Sequence, residues 1–404
     1  MDPVPTPAAP ESVGLSPAGL ARIDALIAEQ IAARQLPGAV MLVARHGKLV
    51  HRSVQGLKTL ATGEALAADT IFPIFSMTKP VTAAAMMVLH DWGLWSPDDP
   101  IAKHLPEFAD VQGPDGAAPD HAPTLRELMT HTAGFGYAIG FGPFDTTDKA
   151  YLAADIWGAG GLAEFVRRVA TAPLAYQPGT QFRYSLSMDL QGAIIEKLTG
   201  RSLPTFMREI LFAPLGMVDT DFHVPAGKQA RLATLYHMYG ATELTVLDAP
   251  GFKRDGLAMP TLPSGGGGLY STADDYARFA QMLLNKGALG GELGGARVLS
   301  PEAVAMMTSN HLPQALIDHG FIAGAQSVGP GRGYAFNGAV FFDPAAAKVP
   351  VGAGTYQWDG AGGAWFWVDP ENDLLFVGLI GRMMQEGMTL YQLETQKLIA
   401  EAMV

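Results

Sequence analysis

In the stretch FPIFSMTKP, residues 72 to 80, Ser76 stands three positions before Lys79. Positions i and i+3 share one face of a helix, so a serine at a helix start sets its hydroxyl beside the amine of a lysine one turn on. Serine becomes a nucleophile only with a base. An amine can be that base when burial or nearby positive charge lowers its pKa. Phe72, Ile74 and Phe75 on one side, with Val81 and a run of alanines on the other, supply the burial. Pro80 has no N–H to give and is tolerated only in a first turn, so the helix is expected to begin at about Ser76. Free backbone N–H groups at such a start favour developing negative charge. The same residues also read as a capping serine and a solvated lysine. Two facts weigh toward chemistry: the lysine lies in an apolar stretch, and no other serine of the chain has a lysine three residues on. A serine–lysine site further needs a proton relay and an oxyanion hole. Tyr184, in FRYSLSMDLQG where a loop meets a helix, offers a phenol, although a lone tyrosine equally reads as core with a bonded hydroxyl.

The elements that must position these groups can be read from caps and periodicity. Ser16 and Pro17 open a helix whose apolar stripe is Leu20, Ile23, Ile27 and Ile31, stopped at Pro37-Gly38. Two β-rich runs flank Arg45-His46-Gly47-Lys48, a hairpin. Thr124 and Glu127 form a capping box, Gly200 caps the end of another helix, Ser271 with Asp274 opens the helix that ends at Lys286-Gly287, and Ser300-Pro301 opens one more. AWFWVDPENDLLFVGLIG reads as two strands around a turn, and a last helix spans about 386 to 402. Strand signals therefore lie at the two ends of the chain and helices in the middle. One sheet built from both ends is the economical answer, with residues 1–85 and 261–404 forming a discontinuous α/β domain and 86–260 a mainly helical one. The cleft between them is the expected site.

At 404 residues the chain has ample length for a large core. Its net charge of −12 and lack of any basic run argue against a nucleic-acid partner. With no cysteine, thiol catalysis, disulfides and cysteine-held metals are excluded. There is no H-E-x-x-H or H-x-H pair, and we expect neither metal nor cofactor. No apolar run reaches the length of a membrane span, so a soluble protein is expected. MDPVPTPAAPESVG has neither a basic start nor an apolar h-region, which reads as cytoplasmic, although an exported chain with its leader removed would look the same. Oligomeric state has no signature here.

Five stretches in order resemble the serine β-lactamase-related superfamily. They are Ser76-Met77-Thr78-Lys79, LMTHTAG at 128–134, PGTQFRYSLSMDLQG at 178–192, APLGM at 213–217 and SGGGGLYSTADD at 264–275. The resemblance runs from about residue 15 onward and is nearest to the family VIII carboxylesterases. It implies the β-lactamase/transpeptidase-like fold, an α/β (α+β) arrangement with an antiparallel sheet flanked by helices and a mainly helical second lobe. It also implies that Ser76 is the acylated nucleophile and that Lys79 and Tyr184 share the acid and base work. His131 matches a structural, hydrogen-bonded histidine. Two departures from the β-lactamase pattern stand out. The Tyr-x-Asn motif is here Tyr184-Ser185-Leu186, and Lys-Thr-Gly is absent. In its place stands Trp358-Asp359-Gly360, which resembles the Trp-Gly-Gly of the family VIII esterases. A lysine there would pair with a substrate carboxylate, whereas tryptophan offers an apolar wall and Asp359 would repel one. By the same resemblance the oxyanion hole uses the N–H groups of Ser76 and Ala361, with Gly360 allowing close approach.

A carboxylic-ester hydrolase follows, with a small neutral ester as substrate. The alternatives are an amidase, D-peptidase or β-lactamase, an acyltransferase to an alcohol acceptor, and a ligand-binding module that has lost catalysis. A Ser-His-Asp enzyme of the α/β-hydrolase type is disfavoured because no G-x-S-x-G occurs. Phe135, Tyr137, Phe141 and Phe144 suggest an apolar substrate wall, though surface packing explains them equally well.

Overall fold

The computed structural model describes residues 6–139, 144–248, 256–289, 296–323, 326–385 and 390–404. Two halves of one sheet come from the two ends of the chain. Its strands run in the order Thr6–Pro7, Lys48–Thr59, Gly38–Arg45, Leu374–Leu379, Ala364–Asp369, Thr355–Gly360, Gly338–Phe341 and Arg332–Ala335. A short strand, Glu64–Ala65, pairs beside Lys48–Thr59. The pairings are antiparallel, as expected, except that Thr6–Pro7 runs parallel to Lys48–Leu49. The seam between the halves pairs Leu374–Leu379 with Val40–Arg45, Val377 opposite Leu42 and Phe376 opposite Val43. His46 and Gly47 both have positive φ, 52° and 66°. That is the mirror-image two-residue turn whose twist matches a hairpin.

The central strands are buried on both faces, so they read as continuous apolar runs rather than alternating ones. Val40, Leu42, Ala44, Phe366, Val377 and Leu379 point into the large core that also takes the helix Thr78–Asp91 and the helices of the middle segment. Met41, Val43, Trp365, Trp367 and Phe376 face the other way, under the helices Pro17–Ala32 and Tyr391–Ala402. The last helix was expected from about 386; residues 386–389 lie outside the described residues.

Caps set most helix starts where the sequence placed them. Ser16 accepts the N–H of Gly19, Ser300 that of Ala303, and the Thr124–Glu127 box is complete. Gly200 ends its helix with φ 67°. One cap moves by a residue. The helix Ala273–Leu284 is capped by Thr272, which accepts the N–H of Asp275, and not by Ser271. Ser271 is instead held in a short strand opposite Phe72, and its hydroxyl lies 2.8 Å from that of Thr220. Among the described residues no helix is long and apolar enough to cross a membrane.

Candidate active site

Ser76 sits in a single 3₁₀ turn, Phe75–Met77, that runs into the helix Thr78–Asp91. Phe75 is held with φ 46°, a costly conformation for a bulky residue. The surroundings fix it. Ile74 N–H donates to Leu269 O at 3.0 Å, the Tyr276 hydroxyl to Met77 O at 2.8 Å, and Thr78 Oγ1 accepts the N–H of Leu269 at 3.1 Å. The Phe75 ring lodges among Leu235, Leu247 and Met383. The serine is therefore placed by the tertiary frame, and it caps nothing.

One helical turn on, Lys79 is fully buried. Its Nζ lies 2.6 Å from Gly266 O and 3.1 Å from Ser76 Oγ. Burial brings the amine down to about 7, against the opposing pull of the Asp189 and Asp359 charges. The Tyr184 hydroxyl donates to Ser76 Oγ at 2.8 Å. Burial pushes this phenol well above its usual value, and Tyr137 adds to the effect. Lys79 Nζ stands over the Tyr184 ring at 4.5 Å and near the Tyr137 ring at 5.6 Å. Two titratable groups thus meet at one serine oxygen with proton affinities driven apart, the amine down and the phenol up. At neutral pH the amine is the group able to take a proton, and the phenol keeps its own.

Tyr184 is held between aromatic neighbours. The His131 ring is 4.6 Å away, Tyr137 meets it edge-on at 5.6 Å, and Trp358 stacks on it at 5.9 Å. His131 has φ 59° and is buried; its Nδ1 accepts the Ser185 N–H at 3.1 Å, and its carbonyl takes the Tyr176 hydroxyl at 2.8 Å. Burial, reinforced by Lys79, keeps its pKa well below the ordinary value, so the ring stays neutral. The residue is hydrogen-bonded, as expected, through its Nδ1 and its carbonyl.

The other anticipated residues divide. Tyr137 stands beside Tyr184 and Lys79, and Asp148 fixes its backbone by accepting the N–H groups of Tyr137 and Ala138 at 3.0 Å each. Arg183, next to Tyr184, pairs with Asp148 and Asp145. Phe135 does not line the site. It is 2% exposed and packs edge-on against Phe108 at 5.5 Å, so core burial accounts for it. Phe144 is half-buried, and Phe141 lies outside the described residues. Trp358 ends in the aromatic cluster, with Tyr334 at 5.3 Å. Asp359 is partly exposed, and its charge reaches both Lys79 and the buried Arg332. Gly360 lies against the Ser76 turn: a Cβ there would stand 3.1 Å from Ile74 C and 3.4 Å from Ser76 N. Ala361 follows in the turn, where its carbonyl accepts the Met384 N–H at 2.7 Å.

Sequence reasoning passed over Asp189, Asp148 and Gly266. Asp189 and Gly266 meet across 77 positions and Gly266 meets Lys79 across 187, while Asp148 bonds loop N–H groups 10 and 11 positions back, so no helical spacing marks any of them. The glycine run at 265–268 was the one available sign. A Cβ on Gly265 would press on Met188 O and Thr82, so these glycines serve close packing and not looseness.

A family model described as Beta-lactamase matches residues 23–395. Esterase EstB of Burkholderia gladioli is 35% identical over 381 residues, covering 88% of this chain and 89% of that protein. An uncharacterised protein of Mycobacterium tuberculosis is 36% identical over 376 residues, 88% of each. Among solved structures, EstCE1, a hydrolase with promiscuous acyltransferase activity, superposes with a TM-score of 0.80 at 28% identity, covering 95% of this chain and 99% of that one. The sheet assembled from both chain ends and the serine–lysine–tyrosine contact are thus set in a chain matched over nearly its whole length, and the protein belongs to the serine β-lactamase family.

Proposed function

We propose that the protein hydrolyses carboxylic esters through an acyl-enzyme on Ser76. One observation carries this: Ser76 Oγ lies 3.1 Å from Lys79 Nζ and 2.8 Å from Tyr184 Oη. The neutral Lys79 amine accepts the Ser76 proton as Oγ bonds to the ester carbonyl carbon. The N–H groups of Ser76 and Ala361 receive the oxyanion, with the Gly360 backbone abutting the turn. As the tetrahedral adduct collapses, the Tyr184 phenol protonates the departing alkoxide and regains its proton from the Lys79 ammonium. Water then attacks the acyl carbon, passes its proton back along the same groups, and Ser76 leaves as the free hydroxyl.

The ester class is supported by the site wall and by a relative. Trp358 presents an aromatic surface on Tyr184 where a β-lactamase would carry a lysine, so a substrate carboxylate has no matching cation there. Tyr137 and Trp157, 5.9 Å apart, extend that apolar surface. EstB, the 35% identical relative, is an esterase. Transfer of the acyl group to an alcohol is the second reading, supported by the acyltransferase activity of EstCE1. The test is turnover of a p-nitrophenyl short-chain ester beside a chromogenic cephalosporin, with Ser76→Ala as control. Ester turnover that vanishes in Ser76→Ala is expected. Folded parent protein that neither releases nitrophenol nor takes up a serine-directed phosphonate overturns the proposal, and a cephalosporin rate rivalling the ester overturns the substrate class.

A further inference from the structure

We propose that Asp189 is a positioning residue that sets the proton affinity of Lys79, working across the peptide group of Gly266; this rests on the serine–lysine–tyrosine reading above. Asp189 lies in the helix Ser187–Thr199 and is 2% exposed. Its Oδ1 accepts the Ser264 hydroxyl at 2.6 Å and the Gly266 N–H at 3.2 Å. Its Oδ2 is buried with no hydrogen-bond partner among the described residues. The carbonyl of the same Gly266 receives Lys79 Nζ at 2.6 Å. One residue therefore carries the carboxylate on its N–H and the amine on its C=O. A Cβ on Gly266 would stand 3.0 Å from Asp189 Oδ2 and 3.5 Å from Lys79 Nζ. Those two atoms are then no more than about 6.5 Å apart, close enough for opposite charges to shift each other's protonation.

An unpaired carboxylate oxygen in a dry interior is costly unless a charge answers it. The groups facing Lys79 are Ser76 from its own turn, Tyr137 and His131 from the middle segment, Tyr184 before the Asp189 helix, Asp359 from the sheet, and Asp189. Ser76 is neutral, Tyr184 is held protonated and His131 is held neutral. Asp359 is partly exposed, so water screens it. Asp189 is the buried carboxylate of this set: burial raises its pKa, the Ser264 hydroxyl, the Lys79 charge and the Gly266 N–H favour its charged form, and Gly266 fixes its distance. It is also why the amine stops near neutrality instead of falling further with burial: Asp189 is the first charge opposing desolvation at Lys79. The benefit is a base that still holds a proton in the ammonium form long enough to return it through Tyr184.

The test is the pH dependence of kcat/KM for a p-nitrophenyl ester, and of the rate of inactivation by a serine-directed phosphonate, which needs no turnover. Asp189→Asn keeps the Oδ1 acceptor and its shape while removing the charge. Losing the anion lowers the Lys79 pKa, so the amine stays neutral to lower pH. At an effective dielectric of about 20 and this separation, the acid limb of both profiles should move down by roughly one to two pH units. Ser264→Ala, which keeps the carboxyl but removes a donor that favours its charge, should move the limb the same way by less. This variant serves if Asp189→Asn does not fold. A limb that stays put or moves up in a folded variant overturns the proposal. If Ser76→Ala or Lys79→Ala retains full activity, the catalytic reading itself has failed, and that outcome is separable from an unmoved limb.

Discussion

Replacing Gly360 by alanine puts the contact between the sheet and the Ser76 turn to the test. The new methyl would lie under 3.0 Å from Ile74 O, 3.1 Å from Ile74 C and 3.4 Å from Ser76 N. Relaxed carbon contacts sit at roughly 3.5–4.0 Å, and every atom met is backbone, so no rotamer change relieves the clash. The strand is pinned, Asp359 opposite Trp365 and Gly360 opposite Ala364, and the turn is tied by Ile74 N–H to Leu269 O. The overlap must resolve by moving the strand and the Ser76 turn apart by about 1 Å, and misplacement of that size costs on the order of 10²-fold in rate. Overpacking of this kind costs only ~1–3 kcal/mol of stability. The assay is kcat/KM for a p-nitrophenyl ester measured beside thermal unfolding. We expect a folded protein with kcat/KM down about a hundredfold. A variant within about twofold of the parent in kcat/KM, with unchanged melting, refutes the close approach and with it the placing of the oxyanion site between Ser76 and this strand.

Ser76→Ala should abolish ester turnover with the melting curve preserved, while Lys79→Ala and Tyr184→Phe each lose at least ~10²-fold in kcat/KM; near-normal activity in Tyr184→Phe would remove the phenol from the mechanism. Because burial brings Lys79 to about 7 and only its neutral form accepts a proton, kcat/KM should be level above that value and fall about tenfold per pH unit below it; a profile flat down to pH ~5 contradicts a lysine base. Asp148→Ala strips the acceptor from the Tyr137 and Ala138 N–H groups and a partner from Arg183. With orphaned buried donors costing ~1–3 kcal/mol each, differential scanning calorimetry should show lower stability together with reduced kcat/KM.

The sequence made the ends of elements legible because caps act over three or four residues. Ser16, Thr124 and Ser300 do what their spacing implies. Ser271 misled because two adjacent hydroxyls, Ser271 and Thr272, each stand before an aspartate at capping distance, and only the pairing of Ser271 with Phe72 decides between them. Ser76 and Lys79 were readable as a pair, being one turn apart, whereas Tyr184 is 108 positions from Ser76, read equally well as core, and was favoured for the site by a resemblance. Phe135 and Tyr137 are two residues apart and look alike in sequence, yet one is core and the other meets Tyr184. The backbone of that loop, fixed by Asp148, makes the difference. Asp189 stayed hidden for the same reason, since its partner Gly266 is 77 positions away.

The seam of the sheet sets an order of events during synthesis. Arg45 meets Asn372 across 327 positions, and the wall behind Ser76 comes from Gly360. A nascent chain that has emerged only as far as Tyr184 already carries serine, lysine and phenol, but no scaffold to bring them together. Pairings this distant in sequence form slowly and late. On the proposed mechanism, the acylating centre is switched on by the closing hairpin of the chain, and a polypeptide cut short before that hairpin is a mute one.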